Sequence, residues 1–371
     1  MFEVLVIGGG PAGIATSREL HRRGIDHLIL ERGDRTGFNW SRLYDSLTLH
    51  TGKHLSYLPG MHFPATTPLF PSRNDFLDYL HAYTTRFSLP VRTGIDVQRF
   101  EHTPGRWHVH TSTDTLTART LVIATGIMSN PIVPDIDGRE QFRGRVLHSI
   151  EYRRPDPFAG QRVLVVGVGN SGGEIASELA RNGIDVSIAV RSGANVVPLT
   201  IAGIPVQYIS FVLRELPRPL QQRIVNRVRE RTARRLGPIP LPPRPGSPLD
   251  SIPLIGFRLV DEIRAGKVSV RPGISRFTPV GVRFTDGTEQ AFDSVIFATG
   301  FQPALQPFNG ALSLDPKGFA RRTDRVTSAD FANLYFVGHN YDSTGGLANI
   351  RRDSRACAAA VAGSIRRTPT R

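Results

Sequence analysis

A chain of 371 residues with 40% apolar and 21% charged side chains has room for two globular domains, each with its own core. Its single cysteine, Cys357, excludes a disulfide framework, a cysteine-rich zinc site and the paired redox thiols that disulfide reductases set beside a flavin. The net charge of +14 would suit nucleic acid or an anionic membrane, but 43 of the 46 basic residues are arginine, a skew that reads as genome-wide composition bias.

Taken in chain order, the pattern opens with an apolar strand over Glu3–Ile7, the turn Gly8-Gly9-Gly10, a helix over Ala12–Arg23, and a second strand over His27–Leu30. A strand this near the start leaves no room for a signal peptide, and no apolar run approaches the ~18 residues of a membrane span, so a soluble, cytoplasmic protein is expected. A stretch rich in proline and aromatic residues follows at Leu58–Pro71, then a helix over Asp75–Phe87 and strand-like segments at Trp107–Thr111 and Leu116–Thr125. Pro131–Asp137 reads as a linker. The strand, glycine turn, helix and strand then return at Arg162–Val166, Gly167–Gly172, Ser171–Asn182 and Asp185–Val190, displaced by 159 residues (167 − 8).

Beyond the second unit lies a basic excursion: residues 201–240 hold eight arginines against Glu215 and Glu230, a local charge of 8 − 2 = +6. Pro217 and Pro219 break any single long helix there, and Pro238–Pro248 reads as irregular connection. Strands resume at Lys267–Val270, Val280–Phe284 and Ser294–Phe297, with Asp286-Gly287 as a hairpin turn between two of them. The chain closes on Leu334–Gly338 and a helix from about Leu347.

In the first glycine turn each residue has its own task. Gly8 makes the tight bend, Gly10 lets the backbone approach a pyrophosphate, and Gly13 allows close helix–strand packing, while Gly9, Pro11 and Ala12 carry the phosphates to the helix N-terminus. Eighteen residues past Gly13 stands Glu31, followed by Arg32; its carboxylate accepts ribose hydroxyls and repels a 2′-phosphate, so this site suits FAD or NAD rather than NADP. Gly167, Gly169 and Gly172, with Asn170 and Ser171 between them, repeat the spacing. Nineteen residues past Gly172 the acidic position is taken by Arg191, which favours a 2′-phosphate and hence NADPH. Either glycine pattern alone is weak; two in strand–helix–strand context are specific.

Just before the second turn, Phe142, Gly144, His148 and Tyr152 stand in the FxGxxxHxxxY spacing of the linker of flavin-containing monooxygenases, which this chain resembles over nearly its whole length. Leu47-Thr48-Leu49-His50-Thr51-Gly52-Lys53, Phe70-Pro71-Ser72-Arg73 and Phe297-Ala298-Thr299-Gly300-Phe301 are similar to segments of the YUCCA-type indole-3-pyruvate monooxygenases within that class. The resemblance implies an α/β fold of two dinucleotide-binding (Rossmann-like) domains. The FAD domain would be built from residues 1–150 and 291–371, and the NADPH domain, inserted at 151–290, would carry the basic insert 201–250. It implies a monooxygenase that uses FAD, NADPH and O2, forms a flavin C4a-(hydro)peroxide and oxygenates a small organic substrate, an aryl 2-oxo acid with decarboxylation being the favoured class. The alternatives are an N- or S-oxygenating or Baeyer–Villiger enzyme, or an NADPH-dependent flavin reductase or oxidase.

The departures from the family pattern assign roles. Gly37-Phe38-Asn39-Trp40 alters a turn in which Trp40 covers the flavin. His50 stands three residues before Lys53 where amine-oxidising relatives carry Asn, which turns the substrate class away from amines; both are candidate catalytic residues, Lys53 favouring an anionic substrate. Tyr152 replaces the tryptophan of Baeyer–Villiger enzymes, and His148 reads as a lock on the linker rather than a catalyst. Thr125-Gly126 and Thr299-Gly300 are small-residue strand ends read as interdomain contacts beside the dinucleotides. Gly338-His339 replaces a Gly-Asp pair, leaving backbone contact at Gly338. No metal site and no nucleic-acid partner is expected, and the basic insert reads as a solvated helix over the substrate pocket, weak membrane-surface contact being its rival reading.

Overall fold

The computed structural model describes residues 1–246, 249, 253–340 and 344–367. They fall into two compact units, the first comprising residues 1–43, 47–130 and 301–371, the second residues 44–46 and 131–300.

In unit 1, β1 (Phe2–Ile7) leads through α1 (Pro11–His21) to β2 (His27–Leu30). Two single-turn helices, α2 (Phe38–Ser41) and α3 (Lys53–Ser56), precede α4 (Arg73–Arg86). The strands β3 (Val91–Arg92), β4 (Val97–Thr103), β5 (Arg106–Thr111) and β6 (Thr115–Ile123) follow, and after unit 2 the chain returns as β19 (Leu334–Phe336) and α9 (Gly346–Arg367). Among the described residues the sheet order is β3-β2-β1-β6-β5-β4, with β19 parallel to β6. The β1–β2 and β1–β6 pairs are parallel, so β1 is covered on both faces and Val4, Leu5 and Val6 are fully buried. On one face α1 and α9 pack through Ile14, Leu20, Ala358 and Val361. Burying such aliphatic side chains stabilises by roughly 1.5–3 kcal/mol each.

α4 begins two residues earlier than its periodicity suggests because Ser72 and Asp75 form a reciprocal capping box: Ser72 Oγ accepts from Asp75 N–H at 3.1 Å and Asp75 Oδ2 accepts from Ser72 N–H at 2.9 Å. Its inward face, Phe76, Tyr79, Leu80 and Tyr83, holds the preceding proline-rich stretch by phenol hydroxyls, which donate from Tyr79 to Met61 O and from Tyr83 to Pro59 O, both at 2.6 Å.

In unit 2, β7 (Arg145–His148), β8 (Arg162–Val166), α5 (Asn170–Arg181) and β9 (Asp185–Ala189) are followed by the short strands β10 (Val196–Val197), β11 (Thr200–Ile201) and β12 (Ile204–Pro205). The basic insert then forms α6 (Val206–Leu213) and α7 (Arg218–Leu236), separated by the break expected at Pro217. Residues 247, 248 and 250–252, at the end of that insert, lie outside the described residues. The chain continues through β13 (Leu254–Ile255), α8 (Arg258–Arg264), β14 (Val268–Arg271), β15 (Ile274–Thr278), β16 (Gly281–Phe284), β17 (Glu289–Ala291) and β18 (Ser294–Phe297). Among the described residues the parallel sheet runs β14-β9-β8-β18-β7, and β15-β16-β17 is a separate antiparallel sheet.

Two expectations are corrected here. The Asp286-Gly287 hairpin joins β16 to β17, not to the strand over Ser294–Phe297, which is β18 of the parallel sheet and lies between β8 and β7. The units divide at 130/131 and 300/301 rather than at 150/151 and 290/291, because β7 and β18 pair with each other inside unit 2. No described helix is long and apolar enough to cross a membrane.

Candidate functional site

Unit 1 builds its site at the carboxyl end of β1. Gly8 takes φ +110°, a left-handed conformation, and a β-carbon there would stand 2.6 Å from Ala124 O; on Gly13 it would stand 1.8 Å from Gly8 O. Around Gly10, by contrast, a β-carbon would meet nothing within 4 Å. Two glycines are thus required by packing and the third opens on free space. α1 starts at Pro11 with Gly10 extended at its N-cap, so the first amides of the helix face that space with no side-chain cap.

The space is a cavity of about 770 Å³, a size suited to a cofactor. Gly8, Gly10, Pro11, Ala12, Glu31 and Arg32 form its cradle wall, and Thr125, Gly126 and Gly338 adjoin them. Trp40, Leu49, His50, Leu347 and Ile350 line it as well, the last two from the first turns of α9. Glu31 is buried and its carboxylate is already held: Oε2 accepts from Gly9 N–H at 2.6 Å and Oε1 from Gly33 N–H at 2.8 Å. Those bonds fix the carboxylate at the cavity wall and leave further acceptor positions for ribose hydroxyls. Trp40 rests edge-on against Phe76 of α4, with ring centroids 4.5 Å apart. Thr125 Oγ1 donates to Ala304 O at 3.3 Å.

Lys53 departs from its expected place. It is the first residue of α3, and its ammonium donates to Ala65 O at 2.8 Å and to Thr67 O, tying down the loop before α4; it is not among the cavity-lining residues. A lysine at a helix N-terminus extends its long stem away from the helix start, and here a row of carbonyls receives it. His50, by contrast, is half-buried on the cavity wall.

The sequence reading missed what holds Gly338. Its N–H donates to Asp353 Oδ2 at 3.2 Å, and Asp353, fully buried on α9, also accepts from Asn340 Nδ2 at 2.9 Å and forms an ion pair with Arg325. Burial outweighs these partners and raises the Asp353 pKa. The available signal was that Asp353 is the one acidic residue in the sequence of α9. His339 is buried with no hydrogen-bond partner for either ring nitrogen among the described residues. Burial holds its pKa down to about 3, so the ring is neutral. The walls at Ile95–Phe100 and Ala304–Asn309 belong to loops and strand β4 that carry no motif.

Unit 2 repeats the cradle. Gly167 takes φ +105°, with a β-carbon 2.7 Å from Ala298 O; on Gly172 it would stand 2.0 Å from Gly167 O, and on Gly169 it would meet nothing within 4 Å. Arg191 is exposed just past β9 and makes no ion pair among the described residues, leaving its guanidinium fork available to a phosphate. Asn170 Oδ1 accepts from Ile255 N–H at 2.8 Å, so this side chain supports the turn.

The linker residues are structural. Phe142 packs in the core with Phe277 and Phe297, Tyr152 OH donates to Glu178 Oε2 at 2.8 Å, and a β-carbon on Gly144 would collide with Phe142 and with Asp293 O. His148 Nδ1 accepts from Ile150 N–H at 3.3 Å, which makes Nε2 the protonated nitrogen, and it donates to Gly300 O at 3.1 Å. Burial lowers the His148 pKa, in keeping with this neutral tautomer. Gly300, at φ +90°, is held by that bond, and Thr299 Oγ1 donates to Ile132 O. The Thr125-Gly126 and Thr299-Gly300 pairs therefore sit beside Gly8 and Gly167, each within its own unit.

Residues 5–199 match a family model described as pyridine nucleotide-disulphide oxidoreductase. The indole-3-pyruvate monooxygenase YUCCA1 of Oryza sativa subsp. japonica is 36% identical over 313 residues, which cover 80% of this chain and 76% of the rice protein. The probable indole-3-pyruvate monooxygenase YUCCA1 of Arabidopsis thaliana is 36% identical over 314 residues, covering 80% and 75%. Among solved structures, a flavin-containing monooxygenase from Stenotrophomonas maltophilia superposes with a TM-score of 0.78 at 28% identity, covering 98% of this chain and 100% of the other. With two glycine cradles in place, and with Cys357 lone, buried and raised in pKa by that burial, the chain has no thiol pair for disulfide chemistry. It belongs to the class B flavoprotein monooxygenases, on the side of the YUCCA-type enzymes, and is an FAD- and NADPH-dependent oxidoreductase.

Proposed function

We propose that the enzyme oxidatively decarboxylates an aryl 2-oxo acid, with FAD in the unit 1 cavity and NADPH at the Gly167–Gly172 turn. The observation that carries this reading is one continuous cavity joining the Gly8–Gly13 cradle to Trp40, Leu49 and His50, in a chain whose relatives are named for an aryl 2-oxo acid. The overall change balances as R–CO–COOH + O2 + NADPH + H⁺ → R–COOH + CO2 + NADP⁺ + H2O. When bound, the flavin supplies the hydride acceptance and oxygen activation.

The chain's own residues bind, orient and keep water out. The free amides at the start of α1 and the opening at Gly10 suit a pyrophosphate, and the remaining acceptor positions of Glu31 suit ribose hydroxyls. The Asp353–Arg325 pair holds the Gly338 backbone at the cavity wall. Trp40, Leu49, Leu347 and Ile350 present apolar surface that excludes water from the reacting end. His50 is the polar group among them and takes the role of orienting the substrate's oxo or carboxylate oxygens. Lys53 acts at one remove, by fixing the loop at Ala65–Thr67. Arg191 selects NADPH over NADH.

The test is product analysis with phenylpyruvate and indole-3-pyruvate under limiting NADPH. One arylacetate and one CO2 formed per NADPH consumed is the expected stoichiometry. Turnover of a cyclic ketone, a sulfide or an amine, with the oxo acids left intact, would replace this reading with a Baeyer–Villiger or heteroatom-oxygenating one.

A further inference from the structure

The helical pair within the basic insert carries surface that the redox chemistry does not use. α6 reads Val-Gln-Tyr-Ile-Ser-Phe-Val-Leu, yet Gln207 is its only buried residue, and Val212, roughly 140° around the helix from Gln207, is 71% exposed. Ile204 just before α6 is 51% exposed, and Leu220 in the first turn of α7 is 42% exposed. One such side chain alone is ordinary on a protein surface, but three within residues 204–220, beside a basic helix, are a recurrent composition of membrane-surface segments.

α7 adds charge to the same segment. Arg223, Arg227, Arg231 and Arg234 are all exposed, and their spacing of four, four and three puts them in one stripe along the helix; Leu220, three residues before Arg223, lies in that stripe. No ion pair among the described residues involves these four arginines, and Glu230 is the acidic residue of the helix. The four residues between α6 and α7 are folded tightly: Gln221 Nε2 donates to Leu216 O at 2.8 Å, which ties the first turn of α7 back onto the connection.

We propose that the α6–α7 pair docks the enzyme on an anionic phospholipid surface, the exposed aliphatics entering the headgroup boundary and the arginine stripe meeting lipid phosphates. Charge complementarity names an anionic partner, and the aliphatics decide which kind. A nucleic-acid backbone rewards the arginines but leaves Ile204, Val212 and Leu220 unburied, whereas a bilayer interface accommodates both, since arginine stems lie along apolar surface with the charge at the phosphates.

Co-sedimentation of the full-length, flavin-loaded protein with sucrose-filled vesicles tests this, comparing pure phosphatidylcholine with phosphatidylcholine containing phosphatidylglycerol. Pelleting with the anionic vesicles alone is expected, weakening with added salt. Each arginine near the surface contributes about fivefold in affinity, so Arg223→Glu/Arg227→Glu/Arg231→Glu should lower binding by about a hundredfold or more. Val212→Asp and, separately, Leu220→Asp should lower it severalfold while flavin content and circular dichroism stay as in the parent. Three results would each overturn the proposal: no pelleting with anionic vesicles; pelleting that the two aspartate variants leave unchanged, which means adsorption by charge alone; or tighter binding to duplex DNA at equal phosphate concentration. A dimer in light scattering that Val212→Asp abolishes would reassign the surface to a second copy of the chain and so overturn it as well.

Discussion

The carbonyl oxygen of Ala124 lies 2.6 Å from the point where a β-carbon on Gly8 would stand, and Ala298 bears the same relation to Gly167 at 2.7 Å. In both units the strand beside the first strand of the fold ends in Ala-Thr-Gly, and its backbone closes against the first glycine of the turn. A side chain at either glycine would meet fixed backbone in a conformation that already costs an L-residue about 1–2 kcal/mol. Gly8→Ala should therefore purify with little flavin absorbance per protein, whereas Gly167→Ala should keep its flavin and show a KM for NADPH at least about tenfold higher. Full flavin content in Gly8→Ala would show that the unit 1 cradle does not hold the cofactor.

Arg191 offers a planar fork at the end of β9 and is committed to no carboxylate among the described residues. Charge-assisted hydrogen bonds of this kind contribute about 1.5–3 kcal/mol, so Arg191→Ala should reduce the NADPH-over-NADH ratio of kcat/KM by roughly ten- to a hundredfold. Steady-state assays with both nucleotides measure it, and an unchanged ratio would place the 2′-phosphate elsewhere.

Lys53→Met keeps the aliphatic stem and removes the ammonium that holds the carbonyls of Ala65 and Thr67. The loss should be about 1 kcal/mol of stability, together with faster proteolytic nicking near residues 64–67 and unchanged flavin content. If nicking is unaffected while NADPH oxidation uncouples from product formation, Lys53 reaches the reacting end after all.

His339 is a sensor of acid. Its folded pKa is lowered to about 3 from an ordinary 6.5, so between those values the unfolded chain binds a proton that the folded chain refuses. Its contribution to stability is present above about 6.5 and is lost as pH falls through this window, by up to about tenfold in the folding equilibrium per pH unit, with no further loss below about 3. Phe319 and Phe336 already flank the ring, at centroid distances of 5.6 and 5.1 Å. His339→Phe should therefore be tolerated and should melt at a higher temperature than the parent at pH 5, the gap closing towards pH 8. Equal melting temperatures at both pH values would mean the imidazole has a partner in solution.

Asp353→Asn should cost about 3–5 kcal/mol, because Arg325 would stay partly buried without its counter-charge. Chemical denaturation gives the figure, and weaker flavin retention should accompany it through release of Gly338.

The parts legible in the sequence were those whose physics is local. Gly8, Gly13 and Glu31, and their counterparts Gly167, Gly172 and Arg191, declare themselves by spacing because a tight turn and a helix start impose it. The capping box at Ser72 and Asp75 was just as local yet went unread, so the helix was placed two residues late; the linker residues were recognisable as a motif, although the role of His148 as a clasp on Gly300 depends on a partner 152 residues away. What stayed hidden depends on such long-range pairing. Nothing in the spacing of Lys53 tells that carbonyls a dozen residues on will take its ammonium, and nothing near Ser294 tells that β18 will slot between β7 and β8 rather than complete a hairpin. Asp353 and His339 were visible only as polar residues out of place, with no indication of what faced them.

The chain leaves unit 1 at Asn130 and re-enters it at Phe301, and at that crossing Gln302 N–H donates to Asn130 O at 3.0 Å while, inside unit 2, Ile132 N–H donates to Gly300 O at 2.9 Å. The exit and the return are thus neighbours, so residues 131–300 form a loop whose two ends meet, and joining 130 to 301 by a short spacer carries little closure entropy. In that sense residues 131–300 are a cassette: one splice would lift out or exchange all of unit 2 except residues 44–46, and it would leave all seven strands of the host sheet in the remaining chain.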